Sequence, residues 1–385
     1  MGSTREQLYL FMLLFFAGAF VSCIKPFIPN IEKYDELLVV DGNINDGPGP
    51  YTITLSKSSK VKEKSIFTPY TNCIVELEDN FGNKVMLTEK KPGVYKTDSL
   101  AMQGIPGRSY KLRIATSEGE WYESNPEVLL PGLKIQSVYG EVEHKNDPRY
   151  FYGRDGYQFY VDTETAPTTN NYIFWRMEST YKFRADYQIS SYYDNGLHPV
   201  IDKDTFRTCY SILNIPQLYL LNTNELQQNV IKRFPLHFED NYSKALKIRY
   251  SLKVSQFTIS RDAFNYWNTI KKITDAGGEL YTQQPFQMTN NLRNVTYPGK
   301  PVLGYFMAAG LSEKRIFITP VPFDFRIGKC VVEDAQHNPI FAFRDTPNLW
   351  PVFFTGTFAV PLYIDPECLD CRTKGVLVAP AYWID

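Results

Sequence analysis

Residues able to do chemistry are few in this chain, and cysteine leads them. Cysteines stand at Cys23, Cys73, Cys209, Cys330, Cys368 and Cys371. Cys368-x-x-Cys371 has the spacing of half a zinc site, but a structural zinc takes four ligands and the sequence holds no second such pair. His144, His198, His237 and His337 are scattered singly, so neither a metal cluster nor a histidine base announces itself. Two close pairs, Asp162 with Glu164 and Glu239 with Asp240, have the residue types of a hydrolytic dyad. Such pairs are as common on solvated loops, and only their separation in space carries meaning. The sequence contains no G-x-S-x-G elbow, P-loop, H-E-x-x-H or EF-hand loop. The expectation is a non-catalytic chain with no cofactor and no metal. A hydrolase built on Asp162, Glu164, Glu239 or Asp240 is the minority alternative.

Cys23 has a different chemistry. An apolar run from Leu8 to Val21 follows a short polar start containing Arg5, and Ser22-Cys23 closes it. The run is too short for an ordinary transmembrane helix and fits the apolar core of a secretory signal. A small residue before the cysteine reads as a lipobox, with Phe20 where leucine is usual. Residues 1–22 are thus expected to be a lipoprotein signal peptide, cut before Cys23, whose new N-terminus is acylated. A cleaved signal with a chance cysteine, or an uncut anchor, is the alternative. After Lys25 no second apolar run is long enough to cross a bilayer, so residues 23–35 read as a tether to a soluble body.

Export places the remaining cysteines in an oxidising space, where disulfides are the default. Cys73 alternates with Val75 and Leu77, which makes it a small buried hydrophobe and the odd thiol out. Cys209, Cys330, Cys368 and Cys371 are left as disulfide candidates. Two bridges are favoured over one bridge or a metal site, and their connectivity stays open.

The elements that must position these residues are mostly strands. Tyr and Phe, 27 and 26 in number, suit pleated and half-buried surfaces. A net charge of −1 lacks the basic footprint of a nucleic-acid binder. Roughly 360 residues after the signal exceed one usual core, so two domains are expected. Short runs such as Leu37–Gly42, Tyr51–Ser56, the strand around Cys73 and Arg108–Ile114 predict an immunoglobulin-like β-sandwich over 36–132. Asp79-Asn80-Phe81-Gly82-Asn83 reads as a hairpin turn, and Pro126 to Pro131 as an exit linker. A larger β-rich domain follows over 133–385, with strands at Tyr157–Asp162, Tyr172–Met177, Leu246–Val254 and Arg315–Ile318. The Tyr- and Asn-rich stretch from Arg184 to Asp204 reads as an extended loop suited to binding. One helix is expected near 261–275, capped by Ser260, opened by Asp262 and closed by Gly277-Gly278. Its Ala263, Phe264, Tyr266, Trp267, Ile270 and Ile273 are expected to pack on the sheet rather than form a ligand shelf. The fold class is mainly β.

The ordered set of features is similar to a known family. It comprises the lipobox cysteine, Pro26-Phe27-Ile28-Pro29, the Leu37–Gly42 strand with Ile44-Asn45-Asp46, Gly93-Val94-Tyr95, and Gly107–Leu112. Then come Tyr266-Trp267, Gly304-Tyr305-Phe306, Lys314-Arg315, Cys368-x-x-Cys371, Pro380 and Trp383. Together they resemble a family of Bacteroidota outer-membrane lipoproteins known as domain of unknown function 4249, over nearly the whole mature chain. That resemblance implies structural bridges at Cys209, Cys368, Cys371 and Cys330. It also implies a neighbourhood with TonB-dependent receptors, hence a role in transport or surface assembly. No acidic run follows Cys23, the signal that would direct such a lipoprotein outward, although surface exposure is still expected. The leading expectation is a lipid-anchored, non-catalytic outer-membrane accessory protein. It would dock on a TonB-dependent transporter and assist capture of a peptide or glycan. The alternative is a structural or adhesive cell-surface lipoprotein.

Overall fold

Alternation of buried and exposed side chains builds most of this molecule. The computed structural model describes residues 36–58, 68–164, 171–226, 231–275, 290–328, 330, 344, 347–349 and 351–385. Cys23, the expected signal and tether, and Gly277-Gly278 lie outside the described residues. The N-terminal strands are β1 (Leu38–Asn45), β2 (Thr52–Lys57), β3 (Thr68–Pro69), β4 (Ile74–Asp79) and β5 (Lys84–Lys91). They continue with β6 (Val94–Lys96), β7 (Ser109–Ala115), β8 (Trp121–Ser124) and β9 (Glu127–Val128). In β7 the residues Tyr110, Leu112 and Ile114 are buried. Between them Lys111 and Arg113 face outward and pair with Glu123 and Glu78 at 2.5 and 2.9 Å. The period of two puts every second residue on the core side.

The following strands are β10 (Ile135–Lys145), β11 (Arg154–Thr163), β12 (Tyr172–Arg184), β13 (Ser191–Tyr193), β14 (Leu197–Pro199) and β15 (Thr208–Asn222). Next come β16 (Ile231–Asp240), β17 (Arg249–Ile259), helix α1 (Arg261–Asp275), β18 (Leu292–Asn294) and β19 (Leu303–Ile318). β20 (Val352–Gly356), β21 (Pro361–Leu362) and the short helix α2 (Pro366–Leu369) complete the main elements. The chain is mainly β, as expected. β1-β2-β6 and β4-β7-β8 enclose one core and are linked edge to edge through β5. They join a 14-stranded sheet in the order β15-β12-β17-β19-β1-β2-β6-β5-β4-β7-β8-β18, with β3 on β2 and β9 on β7. An irregularity between Glu89 and Lys91 in the β5–β6 pairing marks where that path bends.

β19 is the pivot. Its first half pairs parallel with β1, from Val39↔Leu303 to Asn45↔Ala309. Its second half pairs antiparallel with β17, from Thr258↔Gly310 to Tyr250↔Ile318. The hydrogen-bonded path therefore runs across residue 132, where a boundary was expected. At the changeover the chain near Gly132 crosses β19 so closely that a Cβ on Gly310 would stand 2.1 Å from the Gly132 nitrogen. Only glycine permits that approach.

The three largest cores among the described residues follow from this arrangement. One lies inside β1–β8 and takes Phe306 and Ala308 from β19. In β12 the neighbours Phe174 and Trp175 point to opposite faces. Trp175 joins Phe159, Tyr250 and Leu252 beneath the three-stranded sheet β10-β11-β16, and Phe174 joins Phe257, Tyr305 and Ala263 beneath α1. Each such ring buried stabilises by about 1.5–3 kcal/mol. The expected hairpin turn is present. Asp79 accepts from the backbone of Phe81 and Asn83 at 2.9 Å and from Arg108 at 2.8 Å. Burial opposes its ionisation, but these donors and the Asn83 side chain hold its carboxyl below the usual carboxylate range.

The stretch from Arg184 to Asp204 differs from the expected loop. It forms the β13–β14 hairpin, which pairs with β20 in a small sheet of order β14-β13-β20-β21. The physical reason lies far along the chain, because its partner strand begins at Val352. Disulfides fasten this region: Cys209 joins Cys371 and Cys330 joins Cys368, with Cα–Cα distances of 5.6 and 6.1 Å. Cys73 is a buried free thiol, pushed up by burial. Asp186 approaches the Cys330 and Cys368 sulfurs. Those sulfurs are spent in a disulfide and Asp186 pairs with Lys244 at 2.7 Å, so this trio offers no thiolate to a metal. No helix among the described residues is long and apolar enough to cross a membrane.

Candidate functional site

Helix α1 divides two clefts, and its own periodicity explains why. Ser260 caps it, the hydroxyl accepting from the Ala263 amide at 3.1 Å. Positions 262, 265, 266 and 269 follow the spacing i, i+3, i+4, i+7 and line a polar cavity. Positions 267, 270, 271 and 274 follow the same spacing one face on and line an apolar groove. Between these faces Ala263 and Phe264 are buried against the sheet. Ile273, expected to pack, is 44% exposed.

The polar cavity has a volume of about 300 Å³. Its floor comes from residues distant in sequence. Glu127 of β9 is 7% exposed. It accepts hydrogen bonds from the Tyr305 hydroxyl and, at 3.3 Å, from the Asn291 amide. Asn291 also donates to the Phe306 carbonyl at 2.7 Å and accepts from the Phe306 amide at 3.1 Å. Its carboxamide thus stands in for a strand partner and locks the floor onto β19. Burial pushes the Glu127 carboxyl up, with Asp262 adding to the rise, against the opposing pull of Tyr305, Ser260 and Asn291. Burial and the neighbouring Glu127 push the Tyr305 phenol well up. Tyr266, its ring centroid 5.1 Å from that of Tyr305, is raised by burial to about 12, with the Gly304 backbone pulling the other way.

The rim has a different character. The side chains of Asn125, Asp262 and Asn265 are exposed and find no hydrogen-bond partner among the described residues. Among the described residues no lysine, arginine or histidine lines the cavity. A satisfied floor with an unsatisfied rim is the arrangement of a preformed polar site: the floor fixes geometry and the rim retains capacity for a ligand.

Across the helix, the groove measures about 460 Å³ and is walled by Tyr219, Phe234, Trp267 and Ile270. Phe234 stacks on Trp175 at 4.5 Å, and Trp267 stacks on Phe174 at 5.2 Å. The Trp267 indole N–H meets the Met307 sulfur at 3.0 Å, and Arg176 stands 5.3 Å from the indole ring. Core packing and cleft lining are thus combined in one residue, because Trp267 sits at the seam.

The carboxylates singled out from sequence are not gathered. Asp162 accepts from the Arg233 amide at 2.7 Å and the Ser137 hydroxyl at 3.0 Å. Glu239 meets His237 at 3.0 Å and Ser243 at 2.9 Å, while Asp240 pairs with Arg154 at 3.2 Å. Along the β11–β16 ladder Glu239 faces Tyr157, five residues from Asp162, a separation of about 16 Å. Glu164 directly follows β11, its amide bonded to the Lys134 carbonyl at 2.9 Å. These groups hold strands in register. Glu127 was hidden in the segment expected to be a linker, and Asn125 stands just before that segment. The available signal was alternation: Glu127 and Leu129 are buried while Val128 is exposed, placing a carboxylate in an apolar phase.

Among the described residues a single long helix, set on a mainly β scaffold, parts a polar cavity from an aromatic groove. The chain belongs to the family described as domain of unknown function DUF4249, whose model matches residues 24–315. Cys209 lies inside the matched region, and Cys330, Cys368 and Cys371 lie beyond it. No curated protein matches the chain.

Proposed function

We propose that the chain is a lipid-anchored, non-catalytic accessory protein of the outer membrane. It captures a ligand in the clefts beside α1 and assists its uptake by a TonB-dependent transporter. The observation that carries the capture step is the polar cavity, with a floor whose donors and acceptors are engaged and a rim whose side chains are not. The anchoring step rests on the apolar run ending at Cys23, and the transporter on the resemblance of the ordered sequence features. A pull-down of the tagged, acylated protein from outer membranes in gentle detergent tests the whole. Stoichiometric recovery of a TonB-dependent receptor is expected. Recovery of the intact lipoprotein alone, together with unchanged uptake in a deletion strain, would reject the transport role.

One observation favours the second reading, a structural or adhesive surface protein. β19 is a continuous strand of 16 residues, about 50 Å long. Its start lies beside β1, where the chain enters this body, and its end leads toward the disulfide-fastened region. Such a strand suits a spacer. That reading predicts a loss of surface attachment on deletion, with no co-purifying receptor.

A further inference from the structure

The rim of the polar cavity restricts what can occupy it. Asn125 and Asn265 each offer a carboxamide with two donors and an acceptor, and Asp262 offers a carboxylate. With no cationic side chain among the described lining residues, an anionic ligand would meet Asp262 uncompensated. The volume of about 300 Å³ is at the lower end of the range of about 300–1,000 Å³ for ligand sites, so one compact ring fits better than an extended chain. Tyr266, 7% exposed, edges the cavity beside these polar groups, while Tyr305, 1% exposed, is buried behind it. Paired donors and acceptors grouped on one rim match an object that carries several hydroxyls on its edge.

We infer that this cavity is a binding subsite for one neutral, hydroxyl-bearing sugar ring of a glycan. Asn125 and Asn265 bridge its hydroxyls, Asp262 accepts from them, and the edge of Tyr266 closes the cavity behind the ring. The inference deepens the capture step of the proposed function and rests on it for relevance, though not for its test. Glu127 is a positioning residue: its carboxyl is occupied by Tyr305 and Asn291 and holds the floor in place.

The experiment is calorimetric titration of the full acylated protein in detergent micelles. The probes are glucose, galactose, mannose and N-acetylglucosamine with their disaccharides, set against putrescine, the dipeptide Gly-Lys and tetraglycine. At least one neutral sugar is expected to bind, with little change between low and high salt, because no ion pair is made. Losing two ligand-facing carboxamides in the N125A/N265A variant should weaken binding about tenfold or more. D262N, which keeps an acceptor, should weaken it much less. Both asparagines are exposed, and the N265Q variant gives a second measure with the polar group retained but displaced. The inference is overturned by no sugar binding up to about 10 mM, or by sugar binding that ignores N125A/N265A. It is equally overturned by preferential, salt-sensitive binding of putrescine or Gly-Lys that D262N abolishes, or by tetraglycine competing in the cavity. A sugar that binds while the pull-down yields no receptor and uptake is unchanged in the deletion strain leaves the subsite standing and rejects the transport role. A receptor recovered without any sugar binding does the reverse.

Discussion

Removing the two disulfides separately should cost different amounts, and the difference follows from chain length. Cys209–Cys371 closes a separation of 162 residues and Cys330–Cys368 one of 38. Chain-entropy closure assigns about 5 kcal/mol to the longer loop and about 4 kcal/mol to the shorter. With the shorter bridge nested inside the longer, the effective long loop contracts, and the expected difference is about 1 kcal/mol. Local packing reinforces the order. Cys209 and Cys371 are both fully buried, in a cluster with Phe183 and Ala185, whereas Cys330 is only partly buried. Beyond Cys371 the chain lies back on β12, β15 and β19. Val376 bridges Tyr210, Trp383 packs edge-on to Tyr210 at 5.1 Å, and Lys182 pairs with Asp385 at 2.8 Å. Loosening Cys371 therefore loosens these contacts too. Urea unfolding of the oxidised protein, followed by tryptophan fluorescence, would compare C209A/C371A with C330A/C368A, each without an orphan thiol. Greater destabilisation of C209A/C371A is expected, with an m-value at or above that of C330A/C368A because the longer loop is released in the unfolded chain. An equal or smaller loss, or native cysteines recovered as free thiols from non-reduced peptides, would refute the reasoning.

Two further predictions concern the cavity and its support. Glu127 has a folded pKa above its unfolded value of 4.5, so the folded state binds the extra proton. Wild-type stability should therefore fall as pH rises from that value through the folded pKa. Glu127→Gln removes the titration, and its stability relative to wild type should improve between pH 4 and pH 7, read from urea midpoints. A pH-independent difference would contradict the burial argument. Gly304 holds φ +98° opposite β1, and a Cβ there would stand 1.9 Å from the Val40 carbonyl oxygen. Gly304→Ala should thus unfold the β1–β19 junction, giving loss of cooperative thermal unfolding by circular dichroism. A variant melting within a few degrees of wild type would show that the junction can relax.

Much of the local structure was legible because it depends on local physics. The β7 alternation, the Asp79–Asn83 turn and the Ser260 cap each lie within a few residues, and each appears where the spacing places it. The helix span of 261–275 matches for the same reason. The first half of β19 was invisible. Tyr305 to Gly310 is buried on both faces as it passes between two cores, so it has no alternation to read. The stretch after Arg184 was misread as loop because its partner strand begins over 150 residues later.

By itself the sequence determined that this chain is mainly β, where many of its strands alternate, where its helix begins, and which cysteines are available for bridging. Only the tertiary structure decided that β19 joins the two halves, and that Glu127 meets Tyr305 across 178 residues. It likewise decided that one helix separates a polar cavity from an aromatic groove. The reason is physical: periodicity and caps are fixed by neighbours along the chain. Which side chains converge depends instead on pairings whose closure entropy is repaid only once the whole sheet has formed.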